Sequence, residues 1–295
     1  MSNPSPASLQ QYSDALAGLV AGAAPSIVSV LSHRSRASGF FWKPGLIVTA
    51  EEALADEGEI SVVLPGGESV AATLVGRDPS TDIALLKVDR PAAPVAALET
   101  PSLRAGALAL TVGAEGGAPS AAVGAVAFVG EAWRSLRGGD IDARIELDLS
   151  LRRSAEGALA LGAAGHAFGM VVFGPRRRAL LIPTQTIQRV AAKLESHGRI
   201  PRGYLGLGLR TTRLDGEAGT GVIVMNVEAN GPGAAAGLRQ GDVIVKWNGE
   251  PARDVRTLMR ALGPDSVGAS VRLTLRRGGE PIEATLTIGE RPESQ

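Results

Sequence analysis

The chain has 295 residues, with 30 basic and 30 acidic side chains, so its formal net charge is zero. That length is enough for two domains with cores of their own, and the even charge excludes recruitment of nucleic acid or of an anionic membrane by bulk electrostatics. Cysteine is absent, which removes disulfides, thiolate nucleophiles and cysteine-based zinc sites.

The first residues, Met1 to Pro6, carry no basic region, and no long apolar stretch precedes a small-residue cleavage site. No segment approaches the length of a membrane-crossing helix. The expectation is a cytoplasmic protein as given, or a periplasmic one if a leader was removed. Residues 1–25 read as a weakly helical N-terminal segment leading into Pro25.

From Ser26 the pattern changes to short apolar runs cut by Gly and Pro. Ile27 to Leu31, Gly45 to Thr49, Ile60 to Leu64 and Asp82 to Val88 have strand length and strand composition. Pro65-Gly66-Gly67 signals a hairpin turn. Further runs cover Leu108 to Val112, Val123 to Val129, Arg144 to Leu149, Phe168 to Phe173 and Leu180 to Ile182. Many short strands with Gly-rich turns predict a barrel or sandwich. The run Arg176 to Arg178 reads as solvated loop charge. One helix closes this half: Ile187, Val190, Ala191 and Leu194 share a face, Thr184 or Thr186 can cap it, and Gly198 can stop it. The boundaries that follow are a domain over 26–198, a linker over 199–202 and a module over 203–291.

The module reads as a strand at Val222 to Val227, a short helix before Gly237, a strand at Gly241 to Gly249, a helix capped by Asp254, and two strands at Ser270 to Leu275 and Pro281 to Ile288. Three stretches carry a resemblance: Gly203-Tyr204-Leu205-Gly206-Leu207, Gly233 to Leu238, and Gly241-Asp242-Val243-Ile244. They resemble the PDZ domain attached to bacterial proteases. In such a domain Tyr204, Leu205, Gly206 and Leu207 would form the carboxylate-binding loop. Successive backbone N–H groups there can hold a C-terminal carboxylate while a free strand edge accepts an extended peptide. Val255, Leu258 and Met259 would floor the pocket for the last side chain.

The first half resembles the trypsin-like domain of HtrA proteases. Ser38-Gly39-Phe40, Gly45 to Thr49, Asp78-Pro79-Ser80-Thr81-Asp82 with the following Ile83 to Val88, and Leu110 to Gly113 carry that likeness. It implies a mainly β chain, a trypsin-like double β-barrel followed by a PDZ domain. A serine protease needs an attacking hydroxyl, an imidazole base and an orienting carboxylate. On the family's pattern Asp82 keeps the carboxylate role, Glu52 stands at the histidine position and Glu156 at the serine position. Ser154 replaces a glycine whose N–H helps to stabilise the oxyanion. The chain's three histidines, His33, His166 and His197, do not match the base position and read as exposed or capping residues. A dyad of Ser154 with Lys87 finds little support.

These substitutions give the expectation of a catalytically inactive pseudoprotease, not an enzyme, that binds peptides or protein C-termini as scaffold, adaptor or chaperone. No cofactor is expected. If the barrels close, Glu52, Asp82 and Glu156 converge, and neighbouring carboxylates must raise a pKa or find a cation. Arg152 or Arg153 can fold over them, the cleft can relax with the Glu side chains turned to solvent, or Ca²⁺, Mg²⁺ or Mn²⁺ can bind through oxygen. The alternatives are a peptide hydrolase with an unconventional or metal-dependent carboxylate site, and a structural subunit that assembles with an active HtrA relative. A homotrimer is a further possibility, with Phe40, Phe41 and Trp42 either in the core or at that contact.

Overall fold

A computed structural model describes residues 6–33, 35–56, 58–90, 94–135, 137–174, 178–214, 219–263 and 266–292. The chain divides into two compact units, residues 1–200 and 201–295.

The first unit opens with helix α1 (Pro6–Ala23), an 18-residue element inside the segment that reads as weakly helical. Strands β1 (Ile27–Ser32), β2 (Ser35–Lys43), β3 (Leu46–Thr49), β4 (Ile60–Val63), β5 (Ser69–Asp78) and β6 (Ile83–Lys87) follow. They close a barrel in the order β1-β2-β3-β6-β5-β4. A second closed barrel, β11-β14-β13-β12-β7-β8, uses β7 (Leu108–Glu115), β8 (Ala118–Gly130), β11 (Arg144–Asp148), β12 (Leu159–Leu161), β13 (Ala167–Phe173) and β14 (Ala179–Pro183). Closure leaves no strand edge exposed to another chain. A small hairpin, β9 (Trp133–Arg134) with β10 (Asp140–Ile141), stands between β8 and β11.

Phe40 and Phe41 are buried in the core of this unit beside Ile27, Ile47 and Leu85. They are therefore core side chains and are not available for a trimer contact. Helix α2 (Thr184–His197) buries Ile187, Val190, Ala191 and Leu194, and Gly198 N–H closes it on Leu194 O at 2.8 Å. Neither threonine caps it: Pro183 holds the cap position without a side-chain bond, and both threonines lie inside the first turn. Thr186 Oγ1 instead donates to Asp142 Oδ2 at 2.6 Å. Of the arginine run, Arg178 pairs with Glu146 at 3.2 Å, and the other two lie outside the described residues.

The second unit begins with β15 (Gly203–Tyr204), which pairs with the last strand, β22 (Gly289–Glu290). Its sheet runs β16-β17-β18-β20-β21 over β16 (Leu207–Arg213), β17 (Thr220–Val227), β18 (Val243–Trp247), β20 (Ser270–Arg277) and β21 (Glu280–Thr287), with β19 (Glu250–Pro251) paired to β18. Helix α3 (Pro232–Ala235) and helix α4 (Val255–Arg260) complete it. Asp254 caps α4, with its side chain accepting Thr257 N–H at 2.7 Å. The core gathers Leu205, Val222, Val224, Ile244, Leu258, Leu273 and Leu275. Asp242 is buried against that sheet and accepts two bonds from Arg277, each at 2.8 Å.

Candidate functional site

The turn between β5 and β6 is built by Asp78. Its buried carboxylate accepts Ser80 N–H at 3.0 Å, the Ser80 hydroxyl at 2.6 Å and the Thr81 hydroxyl at 2.7 Å. This self-bonding turn is what Asp-Pro-Ser-Thr encodes. It delivers Asp82 at φ 57°, a left-handed conformation that Asp tolerates better than most residues. The segment after β3 meets it there: Glu52 N–H donates to Asp82 Oδ1 at 2.7 Å, and Glu51 N–H to Asp82 O at 3.4 Å.

Glu156 comes from the second barrel. A 3-10 turn over Arg153–Ala155 precedes it, and Gly157 N–H ties the next residue to Val171 O at 2.8 Å. The two barrels join at Ser38, whose N–H donates to Glu156 O at 2.8 Å and whose hydroxyl donates to Ser154 O at 2.6 Å. Through this joint Glu52, Asp82 and Glu156 each present a carboxylate oxygen, all within 4.8 Å of one another.

Burial pushes the Asp82 carboxyl up to about 7; the Glu52 N–H bond works against this, and the charges of Glu52, Glu156 and Glu51 add to it. Glu51, itself buried, is also raised, by burial first, with Arg77 and Arg137 opposing. Arg77 Nε sits 2.9 Å from Glu51 Oε1. Arg137, from the β9–β10 hairpin, lies 3.2 Å from Glu52 Oε1 and 3.8 Å from Glu51 Oε2. The hairpin is held on the Asp82 turn by the Ser135 hydroxyl, which donates to Ser80 O at 2.5 Å.

The cationic cover thus differs from the expected one. Arg152 lies 3.9 Å from Glu115, and Arg153 is exposed in the 3-10 turn, whereas Arg137 reaches the carboxylates. Glu51, Arg77 and Arg137 were not foreseen, because their contact depends on how a hairpin packs rather than on any local spacing. His166 pairs with Glu99 at 2.7 Å, and His197 bonds Ser196 at 2.6 Å. Lys87 ends β6, a strand's length of roughly 16 Å from Asp82. The Glu156 N–H donates to Arg153 O at 3.2 Å, inside its own turn.

In the second unit Leu205 and Gly206 form the loop between β15, which Tyr204 ends, and β16, which Leu207 opens. Its carbonyls are engaged: Gly233 N–H donates to Leu205 O at 2.8 Å and Glu228 N–H to Gly206 O at 2.9 Å. Among the described residues the Leu205 and Gly206 N–H groups meet no acceptor. The Tyr204 hydroxyl is turned onto Glu228. Leu258 is buried, Val255 is partly buried and Met259 is 47% exposed, so α4 offers a graded apolar face rather than three equal wall residues.

Residues 37–170 match the family described as trypsin-like peptidase domain, and residues 203–288 match the PDZ domain. Relatives include a probable periplasmic serine endoprotease DegP-like of Rhizobium meliloti, 29% identical over 89% of this chain and 55% of that protein. One of the same description from Pseudomonas fluorescens is 30% identical over 88% and 57%. The chain therefore spans about half the length of the curated relatives it matches, 55% of the first. Among solved structures, HtrA-type protease AlgW with decapeptide is 25% identical with a TM-score of 0.71, covering 95% of this chain and 99% of that one. The serine endoprotease from Yersinia pestis is 26% identical with a TM-score of 0.72, covering 94% and 98%.

These names correct one expectation. The chain was expected not to be an enzyme, but its relatives are named serine endoproteases and its structural neighbours are proteases. The expectation passed from two missing residue types to a missing activity, and that step holds only if no other groups can use the cleft. Among the described residues no helix is long and apolar enough to cross a membrane.

Proposed function

The chain has HtrA-type architecture, a trypsin-like peptidase domain followed by a PDZ domain, and from that premise we propose that its second unit captures protein C-termini or exposed apolar segments. In that role it serves as scaffold, adaptor or chaperone in protein quality control, in the periplasm for which its relatives are named. The observation that carries the reading is the pair of N–H groups at Leu205 and Gly206 without an acceptor among the described residues. Adjacent N–H groups of this kind form a nest for a carboxylate, and Leu207, Leu209 and Val255 pack against the apolar core of the same unit. The neighbouring AlgW structure contains a decapeptide, which supports the same use here.

The test is fluorescence anisotropy with a labelled peptide ending in an apolar residue, as the free acid and as the C-terminal amide. Charge-assisted bonds of this kind predict about a tenfold to hundredfold loss on amidation. Equal affinities for acid and amide would remove the carboxylate from the recognition and sink the proposal.

A second reading is favoured by the convergence of Glu52, Asp82 and Glu156 and by the Asp82 carboxyl near neutrality. In it the cleft hydrolyses peptides with Asp82 as general acid or base toward a water molecule, because a group titrating near the working pH transfers protons best. A hard divalent cation held by the three oxygens would lower the pKa of that water. Labelled casein, with and without Mg²⁺, Ca²⁺ or Mn²⁺, separates the forms of this reading. Cleavage by the wild type that is lost in Asp82→Ala is the expected result. Cleavage at one rate in both proteins, or none in either, removes the carboxylate site from consideration.

A further inference from the structure

Strand β16 is the outer strand of its sheet, paired on one side to β17. Helix α4 lies along the other side, and two hydrogen bonds fix its direction. Val255 N–H, at its start, donates to Thr211 Oγ1 at 3.2 Å. Gly203 N–H, at the foot of the carboxylate loop, donates to Leu262 O at 3.2 Å just past the helix end. A peptide whose carboxylate rests on Leu205 and Gly206 must then run from the loop toward Thr211 and Arg213, antiparallel to β16.

The rim of that path is basic. Residues 207–213 and 253–260 contain Arg210, Arg213, Arg253, Arg256 and Arg260, all exposed. The one carboxylate in these two segments is Asp254, whose Oδ1 already accepts the N–H and the hydroxyl of Thr257. At about 3.3 Å per residue, the part of a peptide roughly three to six residues before its C-terminus passes Arg210 and Arg213 on the strand side. On the helix side the same part passes Arg253 and Arg256, which flank the start of α4. Near the C-terminus the groove is apolar instead, with Leu207, Leu209 and Leu262 packed on the core.

Resting on the capture of C-termini proposed above, we propose that this groove selects tails in which an apolar last residue follows acidic side chains about three to six positions upstream, with Arg210, Arg213, Arg253 and Arg256 as the specificity-determining residues. A basic stretch in the same place meets like charge, and that repulsion discriminates as strongly as the attraction does.

The experiment uses the full chain and labelled peptides with one apolar C-terminal residue, differing only in whether the upstream positions are Glu, Ser or Lys. At low salt the Glu peptide binds about tenfold tighter than the Lys peptide, with Ser between them. The difference shrinks in about 0.5 M salt, where exposed charges are screened. In the double variant Arg210→Glu, Arg256→Glu the order reverses. Equal affinities for the three peptides, unmoved by the double variant, overturn the acidic preference while leaving C-terminal capture standing. If none of the peptides binds, the capture reading itself fails and this inference fails with it.

Discussion

Asp82→Asn will stabilise the barrel unit by about 2–4 kcal/mol at pH 8 and by little at pH 4. Burial lifts the folded carboxyl to about 7, with the neighbouring Glu52, Glu156 and Glu51 charges adding to it. The unfolded chain releases that proton near pH 4. Between about pH 4 and about pH 7 the folded state therefore holds a proton that the unfolded state has lost, and stability falls by about 1.4 kcal/mol for each unit of rising pH. An amide carries no such proton. It keeps the Oδ1 that accepts Glu52 N–H at 2.7 Å, and Asn tolerates the left-handed φ of 57° as well as Asp does. Thermal unfolding from pH 4 to pH 8 measures the effect, with the variant's midpoint for this unit roughly 5–15 °C higher at the alkaline end. The same pH slope in wild type and variant would mean that Asp82 titrates as an ordinary surface carboxylate.

Much of this architecture is legible in the sequence. The strands at Ile27, Gly45, Ile60 and Asp82 were marked by β-branched runs between Gly and Pro, and all appear. Ser35–Lys43 and Ser69–Asp78 carry no clear strand signal in the sequence, because Ala, Ser and Gly dilute their apolar pattern and barrel closure, not propensity, sets their conformation. The convergence of Glu52, Asp82 and Glu156 followed from the family likeness, since nothing in their spacing places residues from two barrels together. Arg137 shows the limit of such reading. Its hairpin is short, its partners lie far away in sequence at Glu51 and Glu52, and a formal charge of zero hides which cation covers which anion. Activity is less legible still: a residue type can be read from a sequence, whereas what an altered cleft does depends on pKa values and solvent that the sequence does not state.

Gly157→Ala will unfold the joint between the barrels at a cost of about 3–5 kcal/mol. Gly157 has φ +83°, where any side chain is strained, and its environment allows no relief. A Cβ there would lie 2.2 Å from Ser38 O, 3.0 Å from Thr49 Oγ1 and 3.1 Å from Ala50 N. Ser38 O already accepts the Thr49 hydroxyl at 2.7 Å, and Ser38 N–H holds Glu156 O, so a retreat of the Ser38 backbone breaks the bonds that align Glu156. Gly165→Ala is the matched control. Its φ of +84° is nearly the same, but the added carbon meets only the Leu19 Cδ2 methyl at 3.1 Å, which can swing away. The control should lose about 1 kcal/mol, the ordinary cost of a left-handed alanine. Because the chain forms two compact units, denaturant unfolding is to be followed by probes in each. The barrel transition should move to lower denaturant in Gly157→Ala, while the transition of residues 201–295 stays where it was. Equal losses for the two substitutions would show that the conformational strain alone is felt, and that Ser38 is not the rigid joint on which the carboxylate cleft depends.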